Sequence, residues 1–142
     1  MNIRSFQEAD RRVVIDLWGR CRLLVPHNDP ERDIQRKLRV NPEWFLVGEM
    51  NGEVVATCMA GYEGHRGWIN YLAVRPDLQG QGLGRRIMAA AEALLKQAGC
   101  PKINLQIRET NAEVIRFYEG IGYHRDPVVS MGKRLDPDKP RL

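Results

Sequence analysis

The sequence predicts an α/β fold in which a mixed, largely antiparallel central sheet carries helices on both faces. Three observations predict it. Apolar, β-branched runs joined by tight turns fill the middle of the chain, stretches with helical periodicity precede and follow them, and three glycines connect the last of these strands to a helix. Strands that follow one another without intervening helices favour antiparallel pairing over an all-parallel sheet.

The chain has the size and composition of one globular domain. A protein of 142 residues buries roughly two-thirds of its unfolded surface, so we expect a single domain over residues 1–142, with residues 136–142 as a frayed tail. Its 43% hydrophobic and 28% charged residues exclude disordered and collagen-like classes. No apolar run approaches ~18 residues and the first residues lack a signal-peptide core, which predicts a cytoplasmic protein without a membrane partner.

Charge and cysteine content restrict the partners further. The net charge of +4 suits a polyanionic small ligand as well as nucleic acid. However, no basic run is interleaved with aromatic residues, so no nucleic-acid partner is predicted. Cys21, Cys58 and Cys100 are widely separated and belong to no CxxC or histidine-rich motif. They predict neither a disulfide framework nor a zinc site, and we expect no metal cofactor.

One strand and two helices are predicted in the N-terminal third. A strand over residues 3–6 precedes a helix over residues 11–24. Asp29 or its neighbour Asn28 then caps a second helix, with Pro30 in its first turn, because such side chains accept hydrogen bonds from the free N–H groups there. The apolar residues that recur at helical spacing in the first helix are Val14, Leu17, Trp18 and Cys21.

The middle of the chain predicts three antiparallel strands. Apolar, β-branched runs over residues 44–49 and 54–62 flank Asn51-Gly52, and Asn-Gly is the strongest short-range signal for a tight hairpin. A second turn, also rich in glycine, returns the chain into a strand over residues 68–74. We therefore expect a meander of three strands before the glycine-rich junction.

Two helices and two strands are predicted in the C-terminal half. A helix begins at Leu83 and ends at Gly99, and a strand over residues 103–107 follows. Asn111 starts the next helix, which two glycines end. We then expect a last strand over residues 128–135.

A junction suited to an anion follows the third strand of the meander. Residues 72–87 read LAVRPDLQGQGLGRRI, an apolar run that breaks at a turn and passes three glycines before a helix. Gly80, Gly82 and Gly84 have no Cβ, so backbone N–H groups can come close to a ligand. The free N–H groups in the first turn of the helix add positive potential. The junction therefore predicts a site for a phosphate ester.

Two other phosphate-binding designs fit less well. A P-loop requires Gly-Lys-Ser/Thr after its glycines, whereas Arg85-Arg86 follows here. A dinucleotide fingerprint requires GxGxxG close behind a parallel strand, whereas this chain has GxGxG after five turn residues, 75–79. Glu109, at the end of the next strand, stands where that design has the acidic residue that binds the ribose. A dinucleotide-binding protein therefore stays the weaker alternative.

The combination of motifs resembles one enzyme family. A Q-x-x-G-x-G motif at residues 79–84 follows a strand that ends in Leu-Ala-Val, and Asn111 and a FYEGIGY segment at residues 117–123 come after it. This set resembles the GNAT family of N-acetyltransferases, which transfer the acetyl group of acetyl-coenzyme A (acetyl-CoA). The resemblance covers nearly the whole chain and implies the GNAT fold, with acetyl-CoA as acetyl donor and no metal.

For the coenzyme, the resemblance implies that the pyrophosphate lies on the backbone N–H groups of residues 79–85. The pantetheine arm would run along residues 72–74, in a cleft opened where the strand over residues 103–107 diverges. Asn111 would contact the coenzyme at the start of its helix, or serve only as the N-cap. The implied coenzyme-binding residues are Leu72, Ala73, Val74, Gln79, Gly80, Gln81, Gly82, Leu83, Gly84, Arg85, Asn111 and Tyr118.

For catalysis, the resemblance assigns the general acid more firmly than the base. Tyr118 occupies the position of the tyrosine that protonates the departing thiolate in many family members, and a phenol with a reference pKa of about 10 suits that donor. Gln106 stands where some relatives carry a glutamate, and its amide cannot take up a proton. Glu63 and Glu109 are the nearest carboxylates in sequence, and we predict Glu63 as the base through a chain of water molecules.

The acceptor and the assembly are the least determined features. The resemblance implies a small-molecule or peptide amine as acceptor, held between the loop after the first helix and the turns of the central strands. Because Gln106 replaces a carboxylate, a protein that binds coenzyme A without catalysis is the alternative. The oligomeric state stays open, a homodimer included. The residues expected near the acceptor are His27, Asn28, Asp29, Glu63 and His65.

Overall fold

Five strands form a single sheet in the part of the chain that this computed structural model describes, residues 1–136. Neighbouring strands follow chain order and pair antiparallel, except that the last strand lies parallel to the fourth. The predicted mixed, largely antiparallel α/β fold is confirmed. The tail expected over residues 136–142 lies, beyond Asp136, outside the described residues. The strands are β1 (Asn2–Ser5), β2 (Phe45–Met50), β3 (Glu53–Tyr62), β4 (Gly67–Val74) and β5 (Ile103–Asn104).

Helices cover both faces of the sheet, because apolar side chains on its strands point to each face in alternation. On β2, Phe45 and Val47 belong to one buried cluster and Leu46 to the other. The first two helices pack on the first cluster around Trp18, and the later two pack on the second around Ile87. The helices are α1 (Arg11–Arg20), α2 (Pro30–Lys37), α3 (Leu83–Gln97) and α4 (Ala112–Gly120).

The first helix is shorter than predicted. It ends at Arg20 because Arg22 adopts a left-handed conformation with φ of 59°. The N–H group of Leu23 then donates to the carbonyl oxygen of Trp18 at 2.9 Å, which is the backbone pattern of a Schellman cap. The start of α2 is as predicted, since the side chain of Asp29 accepts a hydrogen bond from the N–H of Glu31 at 2.9 Å.

The hairpin between β2 and β3 is confirmed. Asn51 and Gly52 have φ values of 52° and 80°, the pair of left-handed conformations that a two-residue type I′ turn requires. The turn sets the register, in which Met50 lies opposite Glu53. Local turn chemistry alone therefore positions these two strands.

The last predicted strands are partly wrong. β5 contains only Ile103 and Asn104, and residues 128–135 form no strand. The side chains of Val129 and Met131 in that segment are 85% and 90% exposed. This segment contacts the neighbouring one through side chains, as in the hydrogen bond that the Gln106 amide donates to the Ser130 hydroxyl. A segment forms a strand only where the edge of a neighbouring strand has free backbone groups to pair with, and residues 105–107 beside it are not in a strand themselves.

Candidate active site

A bulge interrupts β4 at the centre of the sheet. Two consecutive residues, Tyr71 and Leu72, lie opposite the single residue Cys58 of β3. Tyr71 takes a left-handed conformation with φ of 51°, which is uncommon for a side chain of this size. A bulge disrupts the local ladder and redirects backbone groups, and such bulges are common beside active sites.

Buried hydrogen bonds hold the bulge in place. The Thr57 hydroxyl donates to the carbonyl oxygen of Tyr71 at 2.8 Å and accepts from the indole N–H of Trp18 at 2.9 Å. The ring of Tyr71 stacks on that of Trp18, with centroids 3.7 Å apart. The conformation of the strand at this point is therefore determined by α1 and β3 together.

A cleft opens where β4 and β5 separate. Their parallel pairing consists of Gly67 with Ile103 and Trp68 with Asn104, after which residues 105–107 leave the ladder. The adjoining cavity of about 1470 Å³ has both polar and apolar walls. Its wall includes residues 105–109 and the side chain of Tyr118 from α4.

The glycine loop presents unused backbone donors to solvent. Gly80 and Gly82 have φ values of 80° and 82°, and a Cβ on either would meet nothing within 4 Å. Within the described residues, no backbone acceptor takes the N–H groups of residues 80–85, the last three of which begin α3. Converging N–H groups at a helix N-terminus form an anion site.

Side chains connect this loop to the strand and helix beside it. The amide of Gln79 donates to the carbonyl oxygen of Val74 at 3.0 Å. The Arg85 guanidinium donates to the carbonyl oxygen of Gly120, at the end of α4, also at 3.0 Å. The loop, the end of β4 and the end of α4 are thus held as one unit.

Tyr118 of α4 belongs to the buried cluster that includes Ala56 of β3 and Ile87 of α3. Its side chain is 6% exposed, and its ring meets that of Tyr123 edge to face at a centroid distance of 5.5 Å. Burial raises the pKa of Tyr118 well above its ordinary value, so the phenol is protonated at neutral pH. At the start of α4, Asn111 acts as N-cap, its side-chain oxygen accepting from the N–H of Val114 at 3.3 Å.

Comparison with known sequences decides the family. The profile of the acetyltransferase (GNAT) family matches residues 11–123. The chain belongs to the GNAT family. An acetyltransferase of Pectobacterium atrosepticum is 48% identical to this GNAT protein over 139 residues, which are 98% of this chain and 99% of that protein. These findings make the chain an acetyl-CoA-dependent N-acetyltransferase.

Solved structures share the GNAT fold. Ard1 from Thermoplasma volcanium has a TM-score of 0.77 and 26% identity, over 85% of this chain and 80% of that chain. AAC(6')-Iy in complex with the bisubstrate analogue CoA-S-monomethyl-acetylneamine has a TM-score of 0.75, over 94% of this chain and 97% of that chain. At 16% identity, the second likeness is one of fold alone.

The carboxylates predicted near the GNAT site lie in different places. Glu63 is in the turn before β4, where its side chain accepts from the N–H groups of His65, at 3.1 Å, and Arg66. That turn is at the end of β4 away from the glycine loop. Glu109 lines the cleft that contains Tyr118, as does Gln106, whose amide donates to Ser130.

A second cavity, of about 560 Å³, lies on the opposite face of β4, under α2. We call it the α2 pocket. Of the residues predicted near the acceptor, Asn28 lines it, whereas Glu63 and His65 do not. The sequence analysis did not predict the charged side chains of this pocket. A lysine on the otherwise apolar face of α2 was the feature that could have indicated them. The lining residues are Leu23, Asn28, Asp33, Arg36, Lys37, Val40, Met59, Asn70 and Tyr71.

Two features are absent from residues 1–136. No group of three or more His, Cys, Asp or Glu side chains there is placed to hold a metal ion. No helix within that range is long and apolar enough to cross a membrane.

Proposed function

We propose that this GNAT protein transfers the acetyl group of acetyl-CoA to a primary amine by direct attack in a ternary complex, with Tyr118 as general acid. The observation that carries the proposal is the combination of an anion cradle and a buried tyrosine. The cradle, residues 80–85, and Tyr118 are joined through the hydrogen bond from Arg85 to the end of α4. A coenzyme bound at the cradle would therefore lie beside the helix that carries the proposed acid.

The chemistry of the cradle fits a pyrophosphate. Its N–H groups lack backbone acceptors among the described residues, and the space above Gly80 and Gly82 is open. A helix N-terminus adds positive potential there. We place the pyrophosphate of acetyl-CoA on this loop and the pantetheine arm beside Leu72 and Val74, in the cleft where β4 and β5 diverge.

Acetyl transfer to an amine makes three demands on the protein. The amine must be deprotonated, the charge on the thioester oxygen must be stabilised, and the departing sulfur must receive a proton. We assign the second demand to backbone groups of Leu72, which lies in the bulge of β4, and of Val74, which pairs with Ala56 beyond the bulge. Holding donor and amine together supplies much of the rate enhancement.

The phenol of Tyr118 meets the third demand. The C–N bond forms as the C–S bond breaks, the Tyr118 hydroxyl gives its proton to the sulfur, and the proton that the attacking nitrogen then loses restores the phenol. Burial raises the pKa of Tyr118, so the proton to be given is present at neutral pH. The hydroxyl makes no hydrogen bond to another side chain within the described part of the chain, which leaves it available to substrate.

The first demand, removal of a proton from the acceptor amine, requires a base. Glu63 remains our proposal, and its place before β4 requires water to carry the proton. Glu109 is the alternative that lines the same cleft as Tyr118.

The cytoplasmic location and the homodimer stay predictions.

An assay of thiol release from acetyl-CoA across a panel of amines tests this function. We expect at least one amine to release free coenzyme A and to gain an acetyl group by mass spectrometry. Thermal shift with coenzyme A and with NAD separates the dinucleotide alternative, since stabilisation by NAD alone would contradict the proposal. Coenzyme A binding with no turnover for any amine would favour the non-catalytic alternative, for which Gln106 is the motivation.

A further inference from the structure

In the α2 pocket, the carboxylate of Asp33 and the ammonium of Lys37 do not pair with each other. Asp33 and Lys37 are four residues apart on α2, a spacing at which an acid and a lysine normally form an ion pair. Instead, the Tyr71 hydroxyl donates to Asp33 Oδ2 at 2.6 Å, and the Lys37 ammonium donates to the carbonyl oxygen of Ala60. Asp33 also accepts from the Arg36 guanidinium through Oδ1 at 3.2 Å. The pocket thus has an acidic group beside the bulge of β4, already paired with Arg36, and a separate ammonium against β3 that is unpaired among the described residues.

The positive site lacks a counter-charge. Lys37 is 8% exposed, and no described carboxylate forms an ion pair with its ammonium. An ammonium carries three donor hydrogens, and one of them is used on a neutral carbonyl group. Burial lowers the pKa of Lys37, and the more distant Glu43 offsets this only in part. Because a buried charge without a partner is costly, an anion in this pocket is stabilised by Lys37.

We propose that the α2 pocket receives the acetyl acceptor, and that this acceptor is a small amine that also carries an anionic group, a carboxylate or a phosphate, held by Lys37. The inference rests on the proposed acetyl transfer. The amine end lies toward the bulge, where Asn70 and Tyr71 line the pocket and Asp33 attracts the ammonium form. The ammonium loses one proton to the base before its nitrogen attacks the thioester carbon.

The same charges disfavour other acceptors. A diamine or polyamine would bring a second ammonium against Lys37, and Arg36 lines the same pocket. A volume of about 560 Å³ accommodates a molecule the size of an amino acid or an aminoalkyl phosphate. The pocket chemistry therefore selects a small zwitterion over a polycation.

Matched acceptor pairs test the inference on the unmodified protein. The pairs are an amino acid against its carboxamide, and phosphoethanolamine against ethanolamine, with putrescine as the dication. We expect kcat/KM for thiol release to be at least ~10-fold higher for the anionic member of one pair, because a charged hydrogen bond is lost in the neutral one. The pair that shows the preference distinguishes a carboxylate from a phosphate.

Substitution of the lysine tests the assigned residue. Lys37→Met keeps the apolar stem and removes the charge, and we expect it to raise KM for the preferred anionic acceptor by ~10–100-fold while the neutral member changes by less than ~3-fold. Arg12→Met, which removes an exposed cation on α1 that lines neither cavity, is the control and should change neither acceptor. Coenzyme A affinity, measured by thermal shift, should be unchanged in both variants.

Each outcome separates the two proposals. Equal or better use of the carboxamide, ethanolamine and putrescine would overturn the zwitterion inference and leave acetyl transfer standing. Absence of thiol release with every amine, while coenzyme A still binds, would instead contradict the proposed function. If Lys37→Met fails to fold, the comparison of acceptor pairs on the unmodified protein still decides the inference.

Discussion

A Cβ on Gly84 would lie 3.1 Å from Cζ of Phe117, so the first turn of α3 packs against α4 at a point where a side chain would require the Phe117 ring to shift. Gly80 and Gly82, by contrast, face open space and have positive φ values. The three glycines therefore serve two purposes. Two shape the anion cradle, and the third lets the helix that carries Tyr118 approach it.

Substitution of Gly84 should disturb the packing of these helices. We expect Gly84→Val to lower the free energy of unfolding by about 1–3 kcal/mol, because the added methyl groups must displace the Phe117 ring. Chemical denaturation measures this change in the free energy of unfolding. In a double-mutant cycle with Phe117→Ala the two losses should not add, and strict additivity would contradict the contact.

Substitution of Gly82 should abolish coenzyme binding. A valine there occupies the space assigned to phosphate and is strained at φ of 82°. We expect affinity for coenzyme A to fall by at least ~100-fold, since the loss of several charge-assisted hydrogen bonds is involved. Gly99→Val, at φ of 90° beyond the other end of α3, carries the same strain away from the loop and is the control. Normal affinity in Gly82→Val would contradict the site.

The parts of the fold that depend on local chemistry were predictable. The Asn51-Gly52 turn needs only two residues that tolerate positive φ, and Asp29 caps α2 through a hydrogen bond two residues along the chain. The glycine junction is likewise a short segment whose donors arise from its own backbone. For such features the sequence within a few residues contains the physical cause.

Features that depend on distant partners were not predictable. The bulge at Tyr71 is held by Thr57, 14 residues earlier, and by Trp18 on another element. The role of Lys37 follows from its contact with Ala60, 23 residues away. Residues 128–135 were expected to form a strand, but the sequence of a segment says nothing about whether the edge of a neighbouring strand is available to pair with it.

Removal of the Tyr118 hydroxyl should slow the reaction without weakening coenzyme binding. We expect Tyr118→Phe to lower kcat by ~10–1000-fold, the range of general acid catalysis. Tyr123→Phe removes the hydroxyl that donates to Glu92 at 2.8 Å and is the control, with kcat close to that of the unmodified protein. Unchanged turnover in Tyr118→Phe would remove this residue from the mechanism.

The pH dependence of kcat provides a second test of the acid. Burial raises the pKa of Tyr118 above its ordinary value of 10.0, so its proton is retained as the pH rises through the neutral range. We therefore expect kcat to show no loss from ionisation of Tyr118 between about pH 6 and 9, while deprotonation of the acceptor amine increases it. An alkaline decline in that range, absent from Tyr118→Phe, would show that Tyr118 ionises there and would contradict the raised pKa.

The two candidate bases can be separated by isosteric amides. Loss of the base should lower kcat/KM by ~10²–10⁴-fold and remove the acidic limb of its pH profile. We expect this of Glu63→Gln, whereas Glu109→Gln should retain most activity. The opposite result would assign the base to Glu109 in the cleft. If neither variant loses activity, proton removal by a carboxylate at these positions is contradicted.

The Thr57 hydroxyl should determine both stability and acceptor geometry. It is fully buried and connects the Trp18 indole N–H to the carbonyl oxygen of Tyr71. Thr57→Val keeps the shape but leaves both groups without that partner, so we expect the free energy of unfolding to fall by about 1–3 kcal/mol. Because the bulge then loses a restraint, KM for the acceptor should rise. Thr57→Ser keeps the hydroxyl and should lose less stability and retain the acceptor KM, and equal effects of both substitutions would show that the methyl group is what matters.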